Sequence, residues 1–369
     1  MAAPLSHRCL TSRFGLGKRD HGFELDVAPG RSPNDRPSGD ACRRPQPGAR
    51  QGVSSRLTAP LSSSEVERFA EQGFLVVDRL LPDADLEPLI ELLDGEVARR
   101  AEQLVAAGEL SRTYRELGFE RQLAAISREN ESILLTLWSE QLIAGPIFRH
   151  ITHPTLLDVA AQMCSSDEII ASSGHWFRPK VPGHEAFQIP WHQDGGYMHP
   201  ACDRTLILTI WMPLVDSTDE RGCLWVRPMP HATGRVFRHR QTPYNPTIYI
   251  DDEDFEQLPA IPVPVRKGGA VLFHNLTPHG SFANTSDSVR WTFDVRYANA
   301  ATPTNAPITR LPGEARLGPD MPAGGCLPPM ADFLARSRLR PTEVVADESS
   351  YVELRRRFTP GVIELRWKD

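Results

Sequence analysis

Ile189-Pro190-Trp191-His192-Gln193-Asp194-Gly195-Gly196-Tyr197 is an extended run that ends in a Gly-Gly turn. In a strand, residues i and i+2 point to the same face. His192 and Asp194 therefore aim an imidazole and a carboxylate at one point, while Gln193 faces away. One nitrogen and one carboxylate ligand make two thirds of the 2-His-1-carboxylate triad that leaves coordination positions open on a non-haem Fe(II). The tripeptide alone is common. Its meaning depends on whether a third ligand, and a use for the open positions, exist elsewhere in the chain.

A second stretch supplies candidates: Lys267-Gly268-Gly269-Ala270-Val271-Leu272-Phe273-His274-Asn275-Leu276-Thr277-Pro278-His279-Gly280-Ser281. A Gly-Gly turn feeds a short apolar strand, then a turn. His274 ends the apolar run and His279 opens the next one, and spacing inside the segment does not choose between them. Downstream residues do. An iron oxygenase with open positions needs a co-substrate that supplies electrons. If that is 2-oxoglutarate, its far carboxylate needs a buried cation, for which the planar fork of Arg is suited. Arg290 lies 11 residues beyond His279, at the head of the alternating run Arg290-Trp291-Thr292-Phe293-Asp294-Val295-Arg296-Tyr297. Ser281, at i+2 from His279, shares the histidine's face and brings a hydroxyl to the same carboxylate. Only His279 keeps this relation. The rival role for Arg290 is a surface ion pair, and Asp294 with Arg296 forms a second candidate pair on the same strand face by parity.

Composition bounds the rest. The chain has 369 residues, 40% hydrophobic and 24% charged, as in an ordinary globular protein, and its net charge of −6 gives no electrostatic footprint for a nucleic acid. No apolar run reaches the length of a membrane span. Six scattered cysteines without a CxxC pair read as reduced thiols in a cytoplasmic setting.

Residues 1–58, rich in Arg, Pro, Ser and Gly, read as a disordered extension, because too little apolar surface is available to offset ordering. A helical layer follows at 61–165. Ser62 and Glu65 are N-cap signals, Gly73 is a stop, and Phe74-Leu75-Val76-Val77 is a short strand. Pro82-Asp83 opens a helix with Leu86, Leu89, Ile90, Leu93 and Val97 on one stripe. Further helices are expected at 132–143 and 155–163. From about 168 the texture becomes short extended runs between Gly and Pro turns, with strands expected at 169–173, 175–180, 205–211, 224–226, 270–273 and 290–297. The run 205–211 is apolar or β-branched nearly throughout, so both of its faces should be covered. A third segment, 301–369, is a Pro-rich extension expected to end in a helix at 351–358 and a strand-like run at 362–365. It would pack on the barrel or at an oligomer interface, and the oligomeric state is open.

From about 61 to 297 the chain resembles the phytanoyl-CoA dioxygenase family of Fe(II)- and 2-oxoglutarate-dependent oxygenases. The matching motifs are Gly73-Phe74-Leu75-Val76-Val77, Trp191-His192-Gln193-Asp194, Trp211-Met212-Pro213-Leu214, the stretch from Gly222-Cys223-Leu224 to His231, and His279-x-Ser281 followed by Arg290. The resemblance implies a mostly β protein with flanking helices, a double-stranded β-helix (a jelly-roll, cupin-like barrel) spanning 168–298 within an oxygenase domain of 59–300. It implies that His192, Asp194 and His279 bind iron and carry the catalysis. It also implies that Arg290 and Ser281 bind 2-oxoglutarate, with Trp211 lining that pocket. The cofactors are then Fe(II), 2-oxoglutarate and O2, with ascorbate as a candidate reductant. Succinate and CO2 are released as an unactivated C–H bond of a small molecule is hydroxylated. Desaturation, cyclisation, epimerisation and acyl-CoA hydroxylation use the same centre. Halogenases of this class carry a small residue where this chain has Asp194, which favours hydroxylation. Gln193, Trp176, Arg178 and Lys180 are candidate substrate contacts, although a strand with one solvated face also accounts for the last three. The chain departs from the family at Pro228-Met229-Pro230-His231, where Pro-Gly-Ser-His is frequent, and this alters a turn near the barrel mouth. Outside the class stand a cupin-like metal isomerase and a non-catalytic jelly-roll module; Arg290 and Ser281 argue against the first, the full ligand set against the second.

Overall fold

The computed structural model describes residues 60–134, 142, 144–172, 176–184, 187–198, 200–241, 248–255, 258–301 and 332–356. The extension read at 1–58, most of the helix read at 132–143 and the run at 362–365 lie outside them. Helix α1 (Ser63–Gln72) begins at a capping box. Ser62 Oγ accepts from Glu65 N at 3.3 Å, and Glu65 Oε2 accepts from Ser62 N at 2.7 Å. Gly73 ends the helix at φ 80°, and a Cβ there would lie 2.1 Å from Met229 O, so the turn admits only glycine. Strand β1 (Phe74–Val77) leads to α2 (Asp83–Ala106), whose Leu86, Leu89, Leu93 and Val97 are buried. Then come α3 (Gln122–Glu129), α4 (Gly145–Ile151) and α5 (Pro154–Met163).

The strands that follow are β2 (Ile169–Ala171), β3 (Trp176–Phe177), β4 (Ile189–His192), β5 (Ile207–Pro213), β6 (Leu224–Val226), β7 (Arg240–Gln241), β8 (Ile248–Tyr249), β9 (Ile261–Val263), β10 (Ala270–His274), β11 (His279–Ser281), β12 (Thr292–Asn299) and β13 (Phe333–Arg336). A large sheet has the order β1-β10-β5-β12-β2-β13, with β3 also on β12. A smaller sheet has the order β4-β11-β6-β9, and β7 pairs with β8. The pairings within the two larger sheets are antiparallel. The C-terminal segment adds β13 to the edge of the large sheet, and in α6 (Glu348–Arg356) the Tyr351 ring lies 5.3 Å from Phe148. The strand in this segment was not anticipated from its sequence.

Strand parity divides the large sheet into two faces. Leu208, Ile210, Met212, Leu272, Phe293 and Val295 join Leu86, Leu89 and Leu93 of α2 in one apolar core. Each such buried side chain contributes roughly 1.5–3 kcal/mol relative to exposure. Trp211, Val271 and Phe273 face the other way and pack with Leu224, Val226 and Val263 of the smaller sheet. Every residue of β5 is buried, as its two covered faces require. Thr209, Asp294 and Arg296 therefore point, with Trp211, into the space between the sheets. Among the described residues there is no disulfide, and no helix is long and apolar enough to cross a membrane.

Candidate active site

Strand β4 ends at His192. Gln193 stays extended (φ −111°, ψ 139°), and Asp194 opens a short 3-10 turn, Asp194–Tyr197. The expected i, i+2 relation thus holds although Asp194 lies just past the strand. On the neighbouring strand, His279 is the direct partner of His192. Register brings the two rings to 4.2 Å between centroids. Asp194 Oδ1 lies 3.9 Å from His192 Nε2 and 3.9 Å from His279 Nε2. One ligand atom from each of the three residues falls within 4.8 Å of the others, and all three side chains are buried.

Hydrogen bonds fix which atoms face inward. The Nδ1 of His192 lies 2.9 Å from Pro190 O, and that of His279 lies 3.0 Å from Thr277 O. A carbonyl can only accept, so each ring holds its proton on Nδ1 and turns an Nε2 lone pair to the centre. Burial, backed by the adjacent His279 ring, drives His192 well below the usual imidazole range, and burial lowers His279 too. Neutral rings are what a cation requires. Burial alone would raise the Asp194 carboxyl, but Arg296 and the imidazoles overcome it and hold it below the usual carboxylate range. Arg296 Nε donates to Asp194 Oδ2 and Nη2 to Oδ1, both at 2.9 Å, while Thr209 Oγ1 donates to Oδ2 at 2.9 Å. Oδ2 is thus occupied, and Oδ1 is the oxygen turned toward the histidines. Two imidazole nitrogens and one carboxylate oxygen, buried and mutually close, suit a divalent first-row metal such as Fe(II).

His274, the competing histidine, is used elsewhere: its Nε2 donates to Met229 O at 2.9 Å and its Nδ1 accepts from Leu276 N at 3.0 Å. The same Met229 carbonyl is the one that crowds Gly73. The departing Pro-Met-Pro-His sequence is thus clamped to the helix α1 exit by its backbone, with Met229 N donating to Gln72 O at 2.9 Å.

Arg290 lies just ahead of β12, in an isolated bridge with Lys180. Its Nη1 donates to Gly222 O at 2.5 Å and to Ser281 Oγ at 3.1 Å, and its guanidinium carbon is 5.3 Å from the centre of the Trp211 ring. It is buried, yet it has no carboxylate partner among the described residues, and its Nε has no hydrogen-bond partner. Burial without an anion pulls the guanidinium below its usual value. An orphaned buried donor on an uncompensated cation fits a carboxylate supplied from outside the chain, as 2-oxoglutarate would supply it. Ser281 and His279 share one strand, so the cation pocket and the histidine cluster are two residues apart.

The four candidate substrate contacts separate. Gln193 is buried and its amide is engaged: Nε2 donates to Arg235 O and Leu276 O at 2.9 and 2.6 Å, and Oε1 accepts from Phe237 N at 2.8 Å. Its groups hold loops together and none is left for a substrate. Arg178, a quarter exposed, pairs with Asp294 at 3.4 Å, and Asp294 pairs with Arg296 at 3.4 Å. Lys180 is buried beside Arg290. Trp176 pairs with Asp294 through its backbone, and its side chain lies outside the described residues. Arg296 and Thr209, which grip Asp194, were not read from the sequence as site residues. Alternation along 290–297 put Arg296 on the inner face, but its partner in the turn after β4 is not a local signal.

The sequence profile of the phytanoyl-CoA dioxygenase family matches residues 69–292. The phytanoyl-CoA dioxygenase domain-containing protein 1 of Danio rerio is 26% identical over 265 residues, which span 64% of this chain and 90% of that protein. The peroxisomal phytanoyl-CoA dioxygenase of Homo sapiens is 23% identical over 236 residues, 63% of this chain and 67% of its own length. Among solved structures, EvdO2 from Micromonospora carbonacea var. aurantiaca, complexed with 2-oxoglutarate, is similar at a TM-score of 0.44 and 21% identity, covering 65% of this chain and 91% of that one. With its profile matched over more than half of the length, the chain belongs to the phytanoyl-CoA dioxygenase family of non-haem iron, 2-oxoglutarate-dependent oxygenases.

Proposed function

We propose that this protein hydroxylates an unactivated C–H bond of a small molecule, with His192, Asp194 and His279 as the iron ligands and Arg290, Ser281 and Trp211 as the 2-oxoglutarate pocket. What supports this reading is the pairing of a buried His/Asp/His cluster with a buried, anion-free arginine that bonds Ser281, two strand positions from His279. When bound, Fe(II) with 2-oxoglutarate and O2 supplies the oxidant: one oxygen atom goes to the substrate carbon and the other to succinate, with loss of CO2.

The chain's own residues prepare that chemistry. The Pro190 and Thr277 carbonyls hold the Nδ1 protons and so orient both rings. Thr209 and Arg296 both donate to Oδ2 while Arg296 gives Oδ1 a single donor, so Asp194 is steered to turn Oδ1 to the histidines and would hold a metal through that oxygen. Arg290 and Ser281 take the far carboxylate, and the Trp211 face bounds the pocket. The carboxylate of Asp194 also fills the place a halide would need, which favours oxygen transfer over halogenation.

We assign the two larger sheets to a double-stranded β-helix, since successive strands alternate between them: β3 large, β4 small, β5 large, β6 and β9 small, β10 large, β11 small, β12 large. The oxygenase domain is then 59–300, with 301–369 an extension that packs on it through β13. The test is succinate release and 2-oxoglutarate consumption by purified protein with Fe(II). Wild type should turn over 2-oxoglutarate and Asp194→Ala should not; full turnover by Asp194→Ala would refute the ligand assignment.

A further inference from the structure

Lys180 is a buried lysine, 3% exposed, whose role the reading above leaves open. Its backbone bridges Arg290 in both directions: Lys180 N donates to Arg290 O at 2.8 Å, and Arg290 N donates to Lys180 O at 3.2 Å. The aliphatic stem crosses Gly222, where a Cβ would lie 2.8 Å from Lys180 Cδ. The ammonium donates to two successive carbonyls, Ser281 O at 2.6 Å and Phe282 O at 2.8 Å. Ser281 is the residue whose hydroxyl meets Arg290 Nη1. Lys180 therefore holds the backbone of one half of the anion pocket with its side chain and the backbone of the other half with its own main chain.

Burying an ammonium is costly unless an anion or well-aimed dipoles offset it. Lys180, like Arg290, has no carboxylate partner among the described residues, and burial, with Arg290 alongside, pulls its ammonium well below the usual lysine value. The fold thus keeps two adjacent buried cations whose ammonium and guanidinium hydrogen-bond, among the described residues, to carbonyl oxygens and a hydroxyl, with Arg178 a further cation nearby. Packing alone would be served better by a neutral side chain of the same length.

We propose that Lys180 is a positioning residue for the co-substrate. It pins the Ser281–Phe282 backbone so that the Ser281 hydroxyl and the Arg290 guanidinium converge, and its charge adds to that of Arg290, so the pocket selects a 2-oxo acid with a second carboxylate over one with a neutral tail. This rests on the assignment of Arg290 and Ser281 to 2-oxoglutarate.

The test uses the full-length protein loaded with Mn(II) in anaerobic buffer, with binding of 2-oxoglutarate and of 2-oxopentanoate, which lacks the second carboxylate, followed by calorimetry. Lys180→Met should weaken 2-oxoglutarate at least tenfold and leave 2-oxopentanoate and Mn(II) affinity within twofold of wild type. Lys180→Arg should recover part of the loss. Should Lys180→Met fail to fold, Arg290→Met carries the test: it should still prefer 2-oxoglutarate to 2-oxopentanoate, because Lys180 remains. Equal weakening of both acids in Lys180→Met, no weakening, or no preference in Arg290→Met would overturn the proposal. Wild type that binds neither acid with Mn(II) would overturn the co-substrate assignment itself, and this inference with it.

Discussion

Replacing Arg296 by Met tests how the aspartate of the centre is held. Arg296 bonds both oxygens of Asp194 at 2.9 Å, and both side chains are buried. Met keeps most of the stem volume and removes the charge. Among the described residues Asp194 then retains Thr209 as its side-chain donor, and Asp294 retains Arg178. Breaking one side of a buried ion pair costs about 3–5 kcal/mol, because the partner is left charged and uncompensated. For a chain of this size each kcal/mol moves the melting temperature by roughly 1–2 °C, so the metal-free variant should melt about 3–10 °C below wild type. A divalent cation on Asp194 replaces the missing positive charge. With Mn(II) present the gap between variant and wild type should therefore narrow. Scanning calorimetry with and without Mn(II) reads both numbers. A metal-free variant within about 2 °C of wild type would refute the ion-pair argument. An equal drop with and without Mn(II) would refute the claim that Arg296 and the metal share Asp194.

Other consequences are simpler. His150 is buried with neither ring nitrogen hydrogen-bonded, edge-on to Phe293, so His150→Leu should leave stability near neutral pH unchanged or higher by about 1–2 kcal/mol in urea unfolding. Burial, with a neighbouring histidine in each case, holds His150 and His274 at about 3. Below the ordinary imidazole value of about 6.5 the unfolded chain takes up protons there that the folded chain does not, so stability should fall as pH falls, by about 2 kcal/mol per ring near pH 5, and His150→Leu should remove one ring's share. Gly73→Ala should cost more than about 2 kcal/mol in the same assay, since a left-handed φ of 80° and a contact 2.1 Å from Met229 O both oppose a Cβ. Ser281→Ala removes one charge-assisted hydrogen bond to the co-substrate carboxylate and should weaken 2-oxoglutarate about tenfold or more while Mn(II) binding stays unchanged in calorimetry.

Local signals in the sequence carried much of this structure. The capping box at Ser62 and Glu65, the Gly73 stop and the stripe of α2 are each written within one or two turns of chain. The both-faces-buried character of β5 follows from a run that is apolar or β-branched nearly throughout. What local patterns could not carry was register between distant strands. The choice of His279 over His274 rested on an offset to Arg290; in the fold it is the pairing of His279 with His192, and the use of both His274 nitrogens elsewhere, that separates them. Alternation turns Gln193 away from the centre, and that direction points it into Arg235, Phe237 and Leu276, partners that no local pattern names. Arg296 could be placed on the inner face by alternation, but its grip on Asp194 joins residues 102 apart in sequence, one on β12 and one in the 3-10 turn that follows β4. The strand at 333–336 escaped notice because an edge strand of four residues in a Pro-rich segment has little periodicity to read.

The central claim is that His192, Asp194 and His279 form one metal site that serves a 2-oxo acid held by Arg290. It is tested most directly by adding Fe(II) and then 2-oxoglutarate to the purified protein under anaerobic conditions, following bound iron and the visible charge-transfer absorption of a chelated 2-oxo acid. Wild type should bind one Fe(II) per chain and develop the band. His279→Ala should lose both, Arg290→Met should keep the iron and need far more 2-oxoglutarate for the band, and His274→Ala should, where folded, keep both. Full iron binding and an undiminished band in His279→Ala, or loss of iron in Arg290→Met, would contradict the account.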